Sequence, residues 1–406
     1  MAKKNVSPKV SVSSDSNFDV IIVGAGPVGL ALAKGLALDG RSVLVLEKNS
    51  HLSEHSKALM LWAGTQDVID RLGLLEEFEN ESLSRDDLTF WDADLDRPMV
   101  HLPLFELSTE TSHARLLLLP QNRTEELFFA GLKDEKTVTT LFDATVTFLE
   151  DVNDQVTVSY VKDGKMQTAT GRFAVGCDGA HSVVRAALGF HLEGETYQIK
   201  AGLADVELAD QKSIYEYPRF SSKDGLTVAI KASKTMWRLI FIDSVKRKWD
   251  LEALTRQGVQ NVFGQSDFKL IWTNEFKLHR RTSEKFAQGN MVLAGDAAHL
   301  NSPIGGQGMN SGIQDTEILR LALKDAFAQN SNDPLMEYAF KRKAQVEHVV
   351  NKYTGFMTSL LFAKGGTYVR DILKTLNVGF KVPAVRHAFL RRAMMLNPYH
   401  PAPSDH

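Results

Sequence analysis

Cysteine is nearly absent: Cys177 is the sole thiol in 406 residues. A lone thiol closes no internal disulfide, so the fold rests on its core, as in a reducing compartment. Long apolar runs are missing too, and nothing approaches the roughly 18 apolar residues that span a bilayer. The opening stretch, MAKKNVSPKVSVSSDSN, is polar and Ser-rich and lacks the apolar centre of a secretion signal. A disordered tail over residues 1–17 and a cytoplasmic location are expected. The net charge of -3 gives no overall field for nucleic acid. There is no internal repeat and no nucleophile–base pattern, and neither a metal centre nor a hydrolytic triad is expected.

What is present is a globular composition, with 43% hydrophobic and 24% charged residues. Charge is distributed unevenly. Residues 334–406 hold 11 Lys or Arg against 4 Asp or Glu, a balance of +7, while the rest of the chain stands at 36 against 46, or -10. The basic region reads either as a helical cap over the substrate channel or cofactor domain, or as a peripheral membrane contact.

The patterning predicts an α/β fold. FDVIIV (18–23) reads as a parallel strand buried on both faces. A helix-forming stretch ending at Gly40 follows, then a second buried strand ending at Glu47, which completes a β-α-β unit. Residues 56–80 and 121–132 read as helical, and 88–105 as strands. TVTFLE and QVTVSY read as strands, with a hairpin turn at Lys162–Gly164. Between 197 and 280, segments such as TMWRLIFID alternate apolar and polar residues, as antiparallel strands with one covered face do. The expected organisation is a Rossmann-like nucleotide-binding domain from 18–88, 110–196 and 285–333. A β-rich substrate domain is inserted from 89–109 and 197–284, and a basic helical region spans 334–406.

Three motifs carry chemistry. Gly24-Ala25-Gly26-Pro27-Val28-Gly29 follows a strand and opens a helix, the setting in which GxGxxG cradles a pyrophosphate. Glu47, 18 residues beyond Gly29, can accept hydrogen bonds from ribose hydroxyls and would repel a 2′-phosphate. That suits FAD or NAD and does not separate them. In AVGCDGAHSVVRAALG (174–189), a buried strand ends at Asp178-Gly179 and Arg185 follows on a helix. In VLAGDAAHLNSPIGGQGMNSGIQD (292–315), a strand ends at Gly295-Asp296, and a glycine-rich turn opens a helix near Asn310. Either aspartate alone would read as a helix cap or turn residue.

In this order the three motifs resemble the class A FAD-dependent aromatic hydroxylases, the family of para-hydroxybenzoate and phenol hydroxylases, over residues 18 to about 320. The resemblance implies that Gly24, Gly26, Pro27, Val28, Gly29, Glu47 and the adjacent Lys48 hold the adenosine and pyrophosphate. It places Asp296 on the ribitol or ribose side, and the backbone of Gly306, Gly308, Met309 and Asn310 over the pyrimidine end of the flavin. Asp178 and Gly179 would serve FAD and NAD(P)H, and Gln121 matches a cofactor-contacting glutamine. Lys57 stands where relatives carry an arginine; it keeps the charge but not the planar fork. Pro303, Gly305 and Gly306 would lie at the flavin's reactive edge in a backbone role. His299, beside them, reads as a structural hydrogen-bonding residue.

The implied reaction is that of a single-component monooxygenase. NADPH or NADH reduces FAD, a C4a-hydroperoxyflavin forms with O₂, and one oxygen atom enters an aromatic or phenolic small molecule. No second GxGxxG exists for the nicotinamide nucleotide, as in the family at large, and no phenol-activating residue stands out. The β-rich region should roof the flavin, which makes Tyr215, Tyr217, Arg219, Trp237 and Arg238 substrate candidates. Other readings are an epoxidase, a Baeyer–Villiger-type or an antibiotic- or polyketide-modifying oxidoreductase of the same fold, or a non-catalytic FAD-binding interaction protein. A WxWxIP stretch, expected of a flavin halogenase, is absent.

Overall fold

The computed structural model describes residues 17–54, 56–208, 217–243, 249–362 and 368–396. Tyr215, most of the expected N-terminal tail and the last ten residues lie outside them.

The first strand, Asn17–Val23, pairs in parallel with Val43–Leu46 on one side and with the end of Lys165–Gly176 on the other. Helix Pro27–Leu38 connects the first two, giving the expected β-α-β unit. Val138–Leu141 and Met291–Leu293 extend the parallel sheet at its two ends. Val20, Ile21, Ile22 and Val43 to Val45 are fully buried, because helices and loops cover both faces and every position of such a strand is interior. Thr145–Val152, Gln155–Lys162 and the first half of Lys165–Gly176 form an antiparallel extension. Its two tight turns place Asn153, Asp154 and Asp163 at positive φ, where Asn and Asp are tolerated.

A second sheet of eight strands, antiparallel except where Arg219–Ser221 runs parallel to Asp87–Asp92, has the order His299–Leu300, Phe268–Ser283, Leu192–Leu208, Met236–Asp243, Leu226–Lys231, Arg219–Ser221, Asp87–Asp92, Arg97–Pro103. The last two strands come from far upstream in sequence. The two long strands Leu192–Leu208 and Phe268–Ser283 form a continuous ribbon whose far end reaches His299–Leu300, beside the third motif.

The two sides of this sheet differ. Trp237, Leu239 and Phe241 pack with Val259, Val262 and Phe263 under helix Leu251–Phe263. The alternate positions Met236, Ile240 and Ile242 face the cluster that contains Met60, Trp62, Ile304 and Tyr353. Period-two alternation along one strand thus assigns each residue to a helix-covered or a motif-facing side.

The expected helix over 56–80 is broken. It begins with a two-residue strand, Met60–Leu61, paired with Leu117–Leu118, and continues as Ala63–Arg71 and Leu75–Glu81. Gly73 at φ 71° turns the chain between them.

The C-terminal region is helical. Asp333–Gln345 passes through a π-helical turn, Val346–Val350, into Asn351–Phe362, and Val369–Gly379 and Pro383–Ala393 follow. Arg370 pairs with Asp92 and Asp94, Arg386 with Glu106, and His387 and Arg391 with Glu110. Three arginines of the basic region are therefore matched by acids of residues 92–110, and the last two helices dock there as a cap. Among the described residues no helix is long and apolar enough to cross a membrane.

Candidate functional site

The glycine loop after the first strand is set by close backbone approach. Gly24, at φ 105°, is so near the second motif that a Cβ there would lie 2.5 Å from the Cys177 carbonyl oxygen. Gly26 differs: a Cβ there would meet no atom within 4 Å. Glycine at 24 serves the fold, whereas at 26 it leaves open space in front of a helix N-terminus that no side chain caps. The Glu47 carboxylate accepts the Ala25 N–H through Oε2 at 2.9 Å and the Asn49 N–H through Oε1 at 2.9 Å. Pro27, Val28 and Gly29 form the first helical turn, with Val28 packed against Gly295 and Gly312; Lys48 is exposed.

The third motif lies alongside. Strand Met291–Leu293 ends at Gly295, and a turn from Ser302 to Gln307 leads into helix Gly308–Gln329, whose N-terminus also lacks a side-chain cap. Gly305 and Gly306 both have positive φ, 83° and 61°. Two residues pin this turn. The Trp62 indole N–H donates to the Gly305 carbonyl at 2.9 Å. Asn310 accepts the Trp62 backbone N–H and donates through Nδ2 to the carbonyls of Met60 and Gly306. Pro303 is exposed, Met309 half-buried, and Gly308 faces open space.

Beneath the turn lies a buried charge cluster that motif reasoning did not assign. Asp315 Oδ2 accepts from the Gly295 N–H and from His299 Nε2, each at 2.8 Å, while Oδ1 pairs with Arg342. Arg342 also donates to Ser311 O and Oγ and to Gln345. Burial pushes the Asp315 carboxyl up, but Arg342 and His299 outweigh it and hold it at about 2. His299 is buried, stacked on Phe286 and bonded to Asn301, which is a structural placement. Asp315 was visible in the motif, but its partner Arg342 comes from another helix and has no sequence signal.

Asp296 is solvent-accessible yet set deep among protein atoms. That desolvation raises its carboxyl pKa, against the pull of His299 and Lys57. Asp178 caps helix Val183–Ala187: its Oδ2 accepts the Val183 and Val184 N–H groups, while the buried Oδ1 has no hydrogen-bond partner. Gly179 stands at φ 79°, and Arg185 bridges to the carbonyls of Ala297 and Ala180. Gln121 donates its side-chain amide to Glu125, and its backbone N–H to Ser56 Oγ. Lys57 is exposed on the neighbouring segment.

The substrate candidates are not brought together. Arg238 is on the motif-facing side, but its guanidinium is held by Asp205 at 2.8 Å through both Nε and Nη2, and Nη2 also donates to Ser56 O. It anchors the segment that carries Lys57. Trp237, fully buried, is on the opposite side under helix Leu251–Phe263. Arg219 also points away from the motifs: it is buried, pairs with Asp96 and lies over the Trp91 ring, while its neighbour Phe220 faces the motif side. Trp237 and Arg219 are therefore corrected to core and sheet-packing residues. Tyr217 is half-buried in the bend before Arg219. The motif side instead presents Ile199, Val228, Met236, Ile240 and Phe276, facing Ile304 and Tyr353. Burial pushes the Tyr353 hydroxyl well up, so it stays protonated.

These residues fit FAD: two uncapped helix N-termini, open space at Gly26 and Gly308 where a side chain would intrude, and an acid at the end of the second strand. The comparisons agree. The family model described as "FAD binding domain" matches residues 17–353. Para-nitrophenol 4-monooxygenase of Pseudomonas sp. is 26% identical over 390 residues, covering 93% of this chain and 94% of that protein. The 12-dehydrotetracycline 5-monooxygenase/anhydrotetracycline 6-monooxygenase of Streptomyces rimosus is 31% identical over 337 residues, covering 79% and 65%. Among solved structures, the anhydrotetracycline hydroxylase OxyS of Streptomyces rimosus superposes with a TM-score of 0.78 at 28% identity, covering 96% of this chain and 78% of that one. The p-nitrophenol 4-monooxygenase PnpA of Pseudomonas putida shares the fold, with a TM-score of 0.85 at 22% identity, covering 95% and 100%. The chain belongs to the FAD-binding-domain family and is a flavoprotein monooxygenase of class A type.

Proposed function

We propose that this monooxygenase uses NADPH or NADH to insert one oxygen atom from O₂ into an aromatic or phenolic small molecule. One observation carries the reading: the glycine turn pinned by Trp62 and Asn310 faces an apolar sheet side formed by Ile240, Val228, Met236 and Phe276. Relatives named for nitrophenol and anhydrotetracycline support a ring substrate. Bound FAD would supply electron transfer and dioxygen activation.

The chain's own residues do the rest. Glu47 and the Pro27 helix N-terminus would hold the adenosine ribose and pyrophosphate, with Gly24, Gly26, Val28, Gly29 and Lys48 around them. Asp296, Lys57, Gln121, Asp178 and Gly179 would line the route to the ribitol. Gly306, Gly308, Met309 and Asn310 would border the pyrimidine end, the last three with backbone N–H groups of the first helical turn, since the Gly306 N–H is donated to the Pro303 carbonyl. Pro303, Gly305 and Gly306 would shape the reactive edge, and the apolar side would exclude water. Arg238, neutralised by Asp205, would hold the Ser56–Ala58 segment rather than bind an anion.

The test is spectroscopic. The purified protein should be yellow, and NAD(P)H should bleach it faster when a suitable phenol or fused-ring phenol is present, with oxygen uptake. A yellow protein showing no NAD(P)H-linked oxygen uptake across a broad phenol panel would overturn the reaction while leaving the family assignment standing.

A further inference from the structure

Arg392 stands at a junction that the proposed reaction does not use. It lies at the end of helix Pro383–Ala393, where the chain runs back against the flavin-edge turn. Its carbonyl accepts from Gln307 Nε2 at 3.3 Å. The following carbonyls continue the seam: Met394 O accepts the Gly64 N–H, and Met395 O accepts Gln314 Nε2 at 3.2 Å. Gly64 is packed so closely on Met395 O that a side chain there would collide with it.

The Arg392 side chain turns the other way. Its guanidinium donates to Val349 O, inside the π-helical turn Val346–Val350. A π-helical turn loosens the regular hydrogen-bond ladder, which makes a carbonyl there available to a side-chain donor. The same guanidinium lies 5.8 Å from the centre of the Tyr353 ring. That ring in turn backs the flavin-edge turn, since a Cβ on Gly305 would be 3.2 Å from Tyr353 Cε1. Among the described residues no carboxylate forms a salt bridge with Arg392. A half-buried cation without a carboxylate is costly unless its other contacts hold it.

We propose that Arg392 is a positioning residue for the flavin-edge turn: its backbone holds Gln307 on one side, and its side chain holds the Tyr353 ring behind Gly305 on the other. Through it the C-terminal cap becomes part of the cofactor site. The inference rests on the FAD reading of that site and does not depend on the substrate.

The test uses full-length protein stripped of FAD and reconstituted. The measurements are the FAD dissociation constant, the visible spectrum of bound flavin, and the melting temperature of the apoprotein. Arg392→Met should weaken FAD binding about tenfold and shift the flavin spectrum with little change in apoprotein melting. Arg392→Lys, which keeps a cation able to reach Val349 O or the Tyr353 face, should recover most of the affinity. Arg386→Met removes a comparable cap ion pair, to Glu106, away from the turn and should leave both flavin readouts unchanged. Gln307→Leu should reproduce the spectral shift, and it carries the test if Arg392→Met does not fold. The proposal is overturned if Arg392→Met and Gln307→Leu bind FAD with wild-type affinity and spectrum, or if Arg386→Met produces the same changes. Wild-type protein that binds no FAD would instead overturn the flavin reading on which the proposal rests.

Discussion

The Glu47 carboxylate accepts the Ala25 N–H at 2.9 Å, so the acid that ends the second strand also braces the glycine loop. Glu47→Ala should therefore act twice. Loss of the bond should lower apoprotein stability by about 1 kcal/mol, and FAD binding should weaken by more than that loss explains. Chemical denaturation of the apoprotein beside an FAD titration separates the two effects.

Gly24 and Gly26 should respond oppositely to the same substitution. At Gly24 a Cβ meets the Cys177 carbonyl at 2.5 Å, and φ is 105°. Gly24→Ala should cost about 2–4 kcal/mol of apoprotein stability. At Gly26 nothing lies within 4 Å of the new Cβ. Gly26→Ala should leave apoprotein melting nearly unchanged while strongly reducing FAD affinity. Equal effects of the two substitutions on apoprotein melting would contradict this division of roles.

Asp315 gives a pH dependence with a definite sign. Its folded pKa of about 2 is below the ordinary 3.8, so its contribution is fully present above the ordinary value and is lost as pH falls from about 4 to 2. The depression corresponds to about 2 kcal/mol. Asp315→Asn should destabilise at neutral pH by about 3–5 kcal/mol, because Arg342 is left buried without its carboxylate. The deficit should narrow toward pH 2. Denaturation midpoints of both proteins across that window would show it, and a constant difference would exclude Asp315 as the titrating group.

Arg370→Ala removes the cation shared by Asp92 and Asp94, of which Asp92 is fully buried. Stability should fall by about 1–3 kcal/mol, and limited proteolysis should cut first around the cap helices. The same internal pairing predicts that anionic vesicles sediment no more wild-type protein than neutral vesicles do. Salt-sensitive binding to anionic vesicles would show that the basic region has an outward role as well.

Much of the cofactor cradle was legible because its chemistry is local. Gly24, Gly26, Gly29 and Glu47 lie within one β-α-β unit, and a turn at Gly305–Gly306 followed by a helix can be read from glycine spacing. What escaped was set by distant pairing. The partner of Asp315 is Arg342, 27 residues on and on another helix. The acids that receive Arg370 lie some 280 residues upstream in the chain, so a basic surplus could be counted but its destination could not. TMWRLIFID announced a two-sided strand without telling which side meets the flavin motifs. Trp237 and Arg238, being adjacent, could never both line one pocket. The short strand Met60–Leu61 depends on pairing with Leu117–Leu118, which helix periodicity does not reveal.

The central claim is tested most directly by turnover of the FAD-loaded protein with NAD(P)H under isotopically labelled dioxygen and a panel of phenols and fused-ring phenols. Mass spectrometry of the product gives the readout. The account predicts a hydroxylated ring product carrying one labelled oxygen atom, formed only when NADPH or NADH is present. A product whose new oxygen comes from water, or NAD(P)H consumption that yields only hydrogen peroxide across the whole panel, would contradict it.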